Sequence, residues 1–273
     1  WMGLLTFKGG VHPFEGKELS MDKPVEELKP GKELVYLLSQ HIGAPAKAIV
    51  NKGDHVVVGQ KIAEAGGFVS APIYATVSGT VKSLEKRKNA TGGYVDAIVV
   101  ENDEQYESTT FVEADPESLS REEILDRIRE AGVVGMGGAG FPTAVKLAPK
   151  DPSTVDHILV NGSECEPYLT SDYRMMLEKP GMIVEGLEIM LKLFGDNCKG
   201  VICIENNKPK AIEIMKKAVE GVDRVSVAVV KTKYPEGAER SLINAVTGRF
   251  VNSKMLPADA GCVVDNVGTV MAV

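Results

Sequence analysis

A chain of 273 residues with 44% hydrophobic and 25% charged side chains is long enough to bury the core of one large or two medium domains. Its net charge of −7 argues against a nucleic-acid binder, and no apolar run approaches the roughly 20 residues that span a bilayer. The four cysteines, Cys165, Cys198, Cys203 and Cys262, form no C-x-x-C pair, which argues against a zinc or iron–sulfur site within the chain and fits reduced thiols. His12, His41, His55 and His157 are scattered without metal-ligand spacing.

Residues 1–29 form a glycine- and proline-rich lead-in, containing Phe7-Lys-Gly-Gly-Val-His-Pro13, expected to pack on the other domains. Residues 30–103 carry many short β signals divided by turns. Ala48 to Val50, Val56 to Val58, Lys61 to Glu64, Ile73 to Val77, Thr80 to Leu84 and Ala97 to Glu101 alternate with Asn51-Lys-Gly-Asp54, Gly66-Gly67 and Ser78-Gly79. This spacing predicts a small sandwich or barrel. Residues 115–273 alternate helix and strand. Helices are predicted over 120–131, 173–194, 208–219 and 237–247, and strands over 157–160, 200–204 and 225–230. Short apolar strands separated by helices predict an open α/β domain with a mostly parallel sheet.

Between Gly132 and Lys146 lie five glycines followed by Phe141-Pro142. Gly135, Gly137 and Gly140 satisfy the spacing of a dinucleotide-binding loop. That fingerprint requires a preceding strand and a long following helix. Here Ser120-Arg-Glu-Glu123 reads as a capping box, with Ile124, Leu125 and Ile128 at helical spacing behind it. The loop therefore follows a helix, and Pro149 limits what comes after. Its N–H groups remain suited to an anion nest, and its bare backbone to a flat ring.

Ligands of open parallel sheets sit at the carboxyl ends of strands. Three polar clusters follow predicted strands: Asn161-Gly-Ser-Glu-Cys-Glu-Pro167, Glu205-Asn206-Asn207 and Lys231-Thr-Lys-Tyr-Pro-Glu-Gly237. Asn161 offers both amide donors and acceptors, suited to the edge of a heterocycle; the alternative is a polar loop capping the next helix. Lys146 could neutralise a phosphate or simply be solvated, and Phe141 and Tyr234 could stack on rings or pack in a core. The neighbouring Glu164 and Glu166 should raise the pKa of Cys165, making it filler rather than a nucleophile. No residue is assigned a catalytic role, and no metal site is expected.

Two resemblances emerge from these residues. The run Lys52 to Glu64, with Ala71-Pro72 and Val77-Ser78-Gly79-Thr80-Val81, resembles the biotinyl/lipoyl-type hammerhead, a barrel-sandwich hybrid. The tip Ala65-Gly-Gly-Phe-Val-Ser70 lacks the lysine that such domains modify, so a structural module is expected. Further along, Gly135-Met-Gly-Gly-Ala-Gly-Phe-Pro-Thr143 with Lys146 is similar to the flavin loop of the NADH-dehydrogenase flavoprotein superfamily. Asn161 to Pro167, Tyr234-Pro-Glu-Gly237 and Asn266-Val-Gly-Thr269 resemble later motifs of that superfamily, in the same order. A barrel ahead of the flavin domain, with the Gly-Gly-Val-His-Pro lead-in, His41-Ile-Gly-Ala-Pro45 and Thr170-Ser-Asp-Tyr-Arg174, resembles the C subunit of Rnf-type ion-translocating ferredoxin:NAD oxidoreductase complexes.

The resemblance implies a non-covalent FMN site drawing on Gly135, Gly137, Gly138, Ala139, Gly140, Phe141, Lys146, Asn161, Ser163, Glu164, Glu166, Tyr234, Gly237, Asn266 and Thr269. It implies hydride exchange with NAD(H), other subunits of a membrane complex as partners, and attachment to the cytoplasmic face through them. Electrons would pass to 4Fe–4S clusters in a part of the family's length that does not follow Val273. Three departures bear on NADH contacts rather than on the FMN loop: Met136 stands where Arg is usual, Ala144 where Gly is usual, and Ala238 precedes Glu239 after the Tyr-x-x-Gly segment. The alternatives are a docking subunit with a degenerate flavin site, as in the quinone-reducing sodium pump, or a related soluble flavoprotein reductase.

Overall fold

The computed structural model describes residues 4–273. The chain divides into two compact units: residues 27–146, and a second unit made of residues up to 26 together with 147–273.

In the first unit, strands β1 (Glu33–Leu37), β2 (Lys47–Ala48), β3 (His55–Val56), β4 (Lys61–Glu64), β5 (Ile73–Tyr74), β6 (Gly79–Lys88) and β7 (Tyr94–Asn102) form two antiparallel sheets. Their orders are β1-β7-β6-β3 and β2-β4-β5. Val56, Ile62, Val77, Val81, Ile98 and Val100 meet in one apolar cluster, all fully buried. Each such side chain contributes about 1.5–3 kcal/mol on leaving water. Two small sheets closing on one core make the sandwich that the turn spacing predicts. Strand β1 was not among the predicted elements, and β6 and β7 extend well beyond the predicted segments.

Helix α1 (Arg121–Glu130) then forms as the capping box requires: the Ser120 hydroxyl accepts from the Glu123 amide, and the Glu123 carboxylate accepts from the Ser120 amide. Ile124, Leu125 and Ile128 are its buried stripe. After the glycine loop, α2 (Thr143–Lys146) is a single turn.

The second unit is built on four parallel strands, β8 (His157–Gly162), β9 (Lys199–Glu205), β10 (Val225–Val230) and β11 (Cys262–Asn266), in the order β10-β9-β8-β11. Helix α6 (Glu239–Thr247) sets Leu242 and Ile243 against Leu159, Cys203 and Cys262 on one side. Helices α3 (Ser171–Glu178), α4 (Pro180–Leu191), α5 (Pro209–Ala218) and α7 (Val267–Ala272) pack with one another and against the strands. Gly186 of α4 lies so close to α7 that a Cβ there would stand 1.9 Å from the Val270 carbonyl oxygen. The single helix predicted over 173–194 is two, broken at Lys179: Pro180 has no amide proton to continue α3, yet suits the first turn of α4. Strand β11 and helix α7 were likewise unpredicted.

The segment before the first unit joins this sheet. Leu5 bridges Val230 in parallel, and the Lys231 amide donates to the Leu5 carbonyl at 2.9 Å. Val11 and Tyr234 exchange two backbone hydrogen bonds of 2.8 Å. Among the described residues, no helix is long and apolar enough to cross a membrane.

Candidate functional site

Successive strands β8, β9 and β10 step one way across the sheet, and β11 returns to the other side of β8. The order reverses between β8 and β11, and the crevice outside the carboxyl ends of such a pair is where open α/β sheets hold ligands. Asn161 and Asn266 stand there as direct register partners on adjacent strands. The Asn161 amide donates to the Gly237 carbonyl at 2.8 Å, and its oxygen accepts from the Ser163 amide at 3.1 Å. Asn266 caps α7 by accepting from the Gly268 amide at 2.8 Å and donates to Asp172 at 2.7 Å. A side-chain amide has two N–H groups and two lone pairs. These bonds take one of each in both residues and leave the rest for a ligand.

The segment after β8 turns sharply, because Glu164 (φ 47°) and Tyr168 (φ 68°) adopt the left-handed conformation that non-glycine residues rarely hold. The Glu164 carboxylate turns inward to cap α3, accepting from the Asp172 and Tyr173 amides at 2.7 and 3.2 Å. Burial pushes its pKa up, while the α3 amides and two lysines, Lys17 and Lys208, oppose the shift. Burial, with the Glu164 charge beside it, lifts Asp172 to about 6. Glu166 remains exposed. The Ser163 hydroxyl is buried with no hydrogen-bond partner. The Cys165 thiol is pushed up mainly by burial, and secondarily by Glu166 and Glu205 rather than by Glu164.

The other two clusters meet the first. Lys208 is 2% exposed and donates to the Ser163 carbonyl at 2.5 Å, Asn207 at 3.1 Å and Glu205 at 3.4 Å. Burial pushes Glu205 and Lys208 toward their neutral forms, and their mutual attraction opposes it. Cys165, Glu166, Glu205, Asn207, Thr232, Lys233 and Tyr234 line a cavity of about 30 Å³ with His12, Glu15 and Lys17. That volume suits water, so any flat ring held by these loops lies outside it. Gly237 stands between Asn161 and Cys165, either of which a Cβ would crowd at 3.3–3.4 Å. Thr269 is buried on α7.

The glycine loop belongs to the first unit. It is closed by a bridge between Val134 and Pro142, with the Gly135 amide donating to the Phe141 carbonyl at 2.9 Å. Gly140 (φ 66°) lies against Gln40 and His41, where a Cβ would approach to 3.1 Å. Met136, Gly137, Gly138 and Ala139 are exposed, and no atom lies within 4 Å of where a Cβ on Gly138 would stand. Phe141 and Lys146 are half-buried. A helix before the loop and one turn after it remove the dinucleotide fingerprint and leave a bare strip of backbone.

Residues 128–273 match the family model of the Nuo51 FMN-binding domain. The chain belongs to that family. Residues 5–105 match the RnfC barrel sandwich hybrid domain, so the antiparallel unit is a barrel-sandwich hybrid. Among curated proteins, the chain is 50% identical over 99% of its length to the C subunit of the proton-translocating ferredoxin:NAD(+) oxidoreductase complex of Clostridium ljungdahlii. It is 44% identical over 97% of its length to the C subunit of the Na(+)-translocating ferredoxin:NAD(+) oxidoreductase complex of Acetobacterium woodii. It spans 59% and 60% of those two proteins.

The residues of this family member fit FMN chemically. At the carboxyl ends of β8 and β11, two adjacent asparagines keep amide capacity and a buried hydroxyl lacks a partner. Asp172, Lys17 and Lys208 escaped notice, since nothing local marks a residue whose partner is remote in sequence: Asn266 for Asp172, the 164–169 carbonyls for Lys17 and the Ser163 carbonyl for Lys208.

Proposed function

We propose that this chain binds FMN without a covalent bond and serves as the NAD(H)-reacting module of an ion-translocating ferredoxin:NAD oxidoreductase complex. The observation that carries the reading is the pairing of Asn161 and Asn266 at the strand-order reversal of a Nuo51-type FMN-binding domain. The names of the relatives support the choice of complex.

Bound FMN would accept a hydride from NADH and release electrons singly. Around it, the spare amide groups of Asn161 and Asn266 would meet heterocycle or ribityl polar atoms, and Ser163 would gain the partner it lacks. By the flavin-loop resemblance, the Gly137, Gly138 and Ala139 backbone would help hold FMN, and Lys146 would supply charge to its phosphate. Phe141, Tyr234 and Gly237 would shape the approach of the nicotinamide, beside the exposed Glu166 carboxylate. Glu164 would act indirectly, by fixing α3. Electrons would leave to 4Fe–4S clusters outside these 273 residues; among the described residues no group of His, Cys, Asp and Glu could hold a metal. Other subunits would attach the chain to the cytoplasmic face of the membrane.

Reconstitution with FMN tests the reading directly. The folded chain should take up one FMN with a perturbed visible spectrum, and NADH should bleach it in stopped flow. A folded chain that takes up no FMN would defeat the proposal. Bound flavin that NADH cannot reduce would favour the docking alternative, which Met136, Ala144 and Ala238 support.

A further inference from the structure

We propose that Lys17 is a positioning residue for the flavin site, holding the 163–169 segment in the shape that directs its side chains. The inference rests on the FMN reading and adds to it a residue from outside the family's flavin-domain motifs. Lys17 is 7% exposed. Its ammonium donates to the carbonyl oxygens of Glu164 at 2.8 Å, Glu166 at 3.1 Å and Leu169 at 2.6 Å. Three donors meet three acceptors, and all three acceptors belong to one loop.

That loop needs an external hold. Two of its residues, Glu164 and Tyr168, are left-handed without being glycine, a conformation that persists only where the surroundings enforce it. The Glu164 and Glu166 carbonyls flank Cys165, so fixing both fixes the peptide planes from which Glu164 turns inward and Glu166 turns out. Charge-assisted bonds to carbonyls are among the stronger hydrogen bonds. The neighbouring contacts have the same logic. The Tyr168 amide donates to the Glu15 carbonyl at 2.7 Å, and the Ser20 and Thr170 hydroxyls pair at 2.8 Å. Gly16 lies against the Tyr168 ring, where a Cβ would stand 2.4 Å away.

The arrangement is reciprocal. Lys233, from the loop after β10, donates to the carbonyls of Phe7 and Gly9 and sits 3.8 Å from the centre of the Phe7 ring. One lysine of the arm grips the loop after β8, and one lysine of the loop after β10 grips the arm. Both grips border the water-sized cavity beside Glu166 and Tyr234. Removing the Lys17 ammonium would leave three carbonyls of this loop without a donor, and the left-handed residues would relax.

The test compares the wild-type chain with Lys17→Met and Lys17→Arg. FMN affinity is read by quenching of flavin fluorescence, the ring environment by visible circular dichroism of bound FMN, and the loop by amide hydrogen exchange. Lys17→Met should weaken FMN binding about tenfold or more, alter the visible dichroism, and speed exchange at 163–169 while β8 and β9 keep their protection. Lys17→Arg keeps the charge but spreads its donors over a planar fork, so it should recover part of the affinity. It carries the same readouts should the methionine variant not fold. Wild-type affinity, dichroism and exchange in either variant would overturn the proposal. A wild-type chain that takes up no FMN would instead defeat the cofactor reading.

Discussion

The Asn161 side chain donates to the Gly237 main-chain carbonyl across 76 residues of sequence, at 2.8 Å. This bond ties the carboxyl end of β8 to the loop before α6. Asn161→Ala removes it and also frees the Ser163 amide. The variant should lose about 1–2 kcal/mol of stability and bind FMN more weakly. Urea denaturation and a flavin titration measure the two effects separately.

Gly138 separates fold from function. Since nothing lies within 4 Å of its missing Cβ, Gly138→Val should melt within a few degrees of the wild type. If the strip from Met136 to Ala139 receives the flavin, the added side chain should cost about tenfold or more in FMN affinity. Unchanged binding would remove the loop from the cofactor site.

Glu236 gives a pH signature. Its side chain is fully buried, and burial with the Glu205 charge lifts it to about 7 against the pull of Lys233 and of the Thr6 hydroxyl. Between about 4.5 and 7 the folded protein keeps a proton that the unfolded chain has released, so stability should fall with rising pH across that window and level off above it. Glu236→Gln should shrink that slope, leaving the part due to Asp172 near pH 6, and be more stable than wild type at pH 8 by about 2 kcal/mol. Paired denaturation curves at pH 5 and pH 8 decide it.

Asp156 works in the opposite sense. Arg249 holds both of its oxygens at 2.6 Å, and this pairing keeps its carboxyl near 2. The folded value lies below the ordinary 3.8, so the pair's contribution is present above that value and lost as pH falls toward 2. The carboxylate is 44% exposed, so solvent screening reduces the contribution to about 1 kcal/mol. Asp156→Asn should lose that amount at pH 7 and flatten the acid limb of the stability curve.

What sequence reasoning could reach follows from where the information sits. Strands β8 and β9 centre on the buried apolar runs Ile158 to Val160 and Val201 to Ile204, β10 is legible by its valines although mostly half-buried, and α1 carries its capping box in plain view. Strand β1 was hidden because Glu33 to Leu37 is mostly half-exposed, with only Tyr36 buried. The break at Pro180 is legible in the sequence, because a proline this far inside a helix over 173–194 has no amide proton to continue it and suits a new first turn instead. The motif glycines and asparagines are legible by type and order, and the structure sets Asn161 and Asn266 side by side. Glu164 did not announce that its carboxylate would serve α3, nor Asp172 that it would link Asn266 to that helix. Such partnerships are set by tertiary approach, and no local pattern encodes them.

The barrel-sandwich unit interrupts the chain of the other unit, and that has a consequence for biosynthesis. Lys17 finds its first carbonyl partner 147 residues downstream. On the ribosome the arm emerges first and waits while residues 27–146, which possess their own core, are made and can close. Closing so long a loop costs little more than closing one half its length, about 0.6 kcal/mol per doubling. The delay is therefore one of order rather than of energy. The hold of Lys17 on the loop after β8 forms only once the interrupting unit has been made.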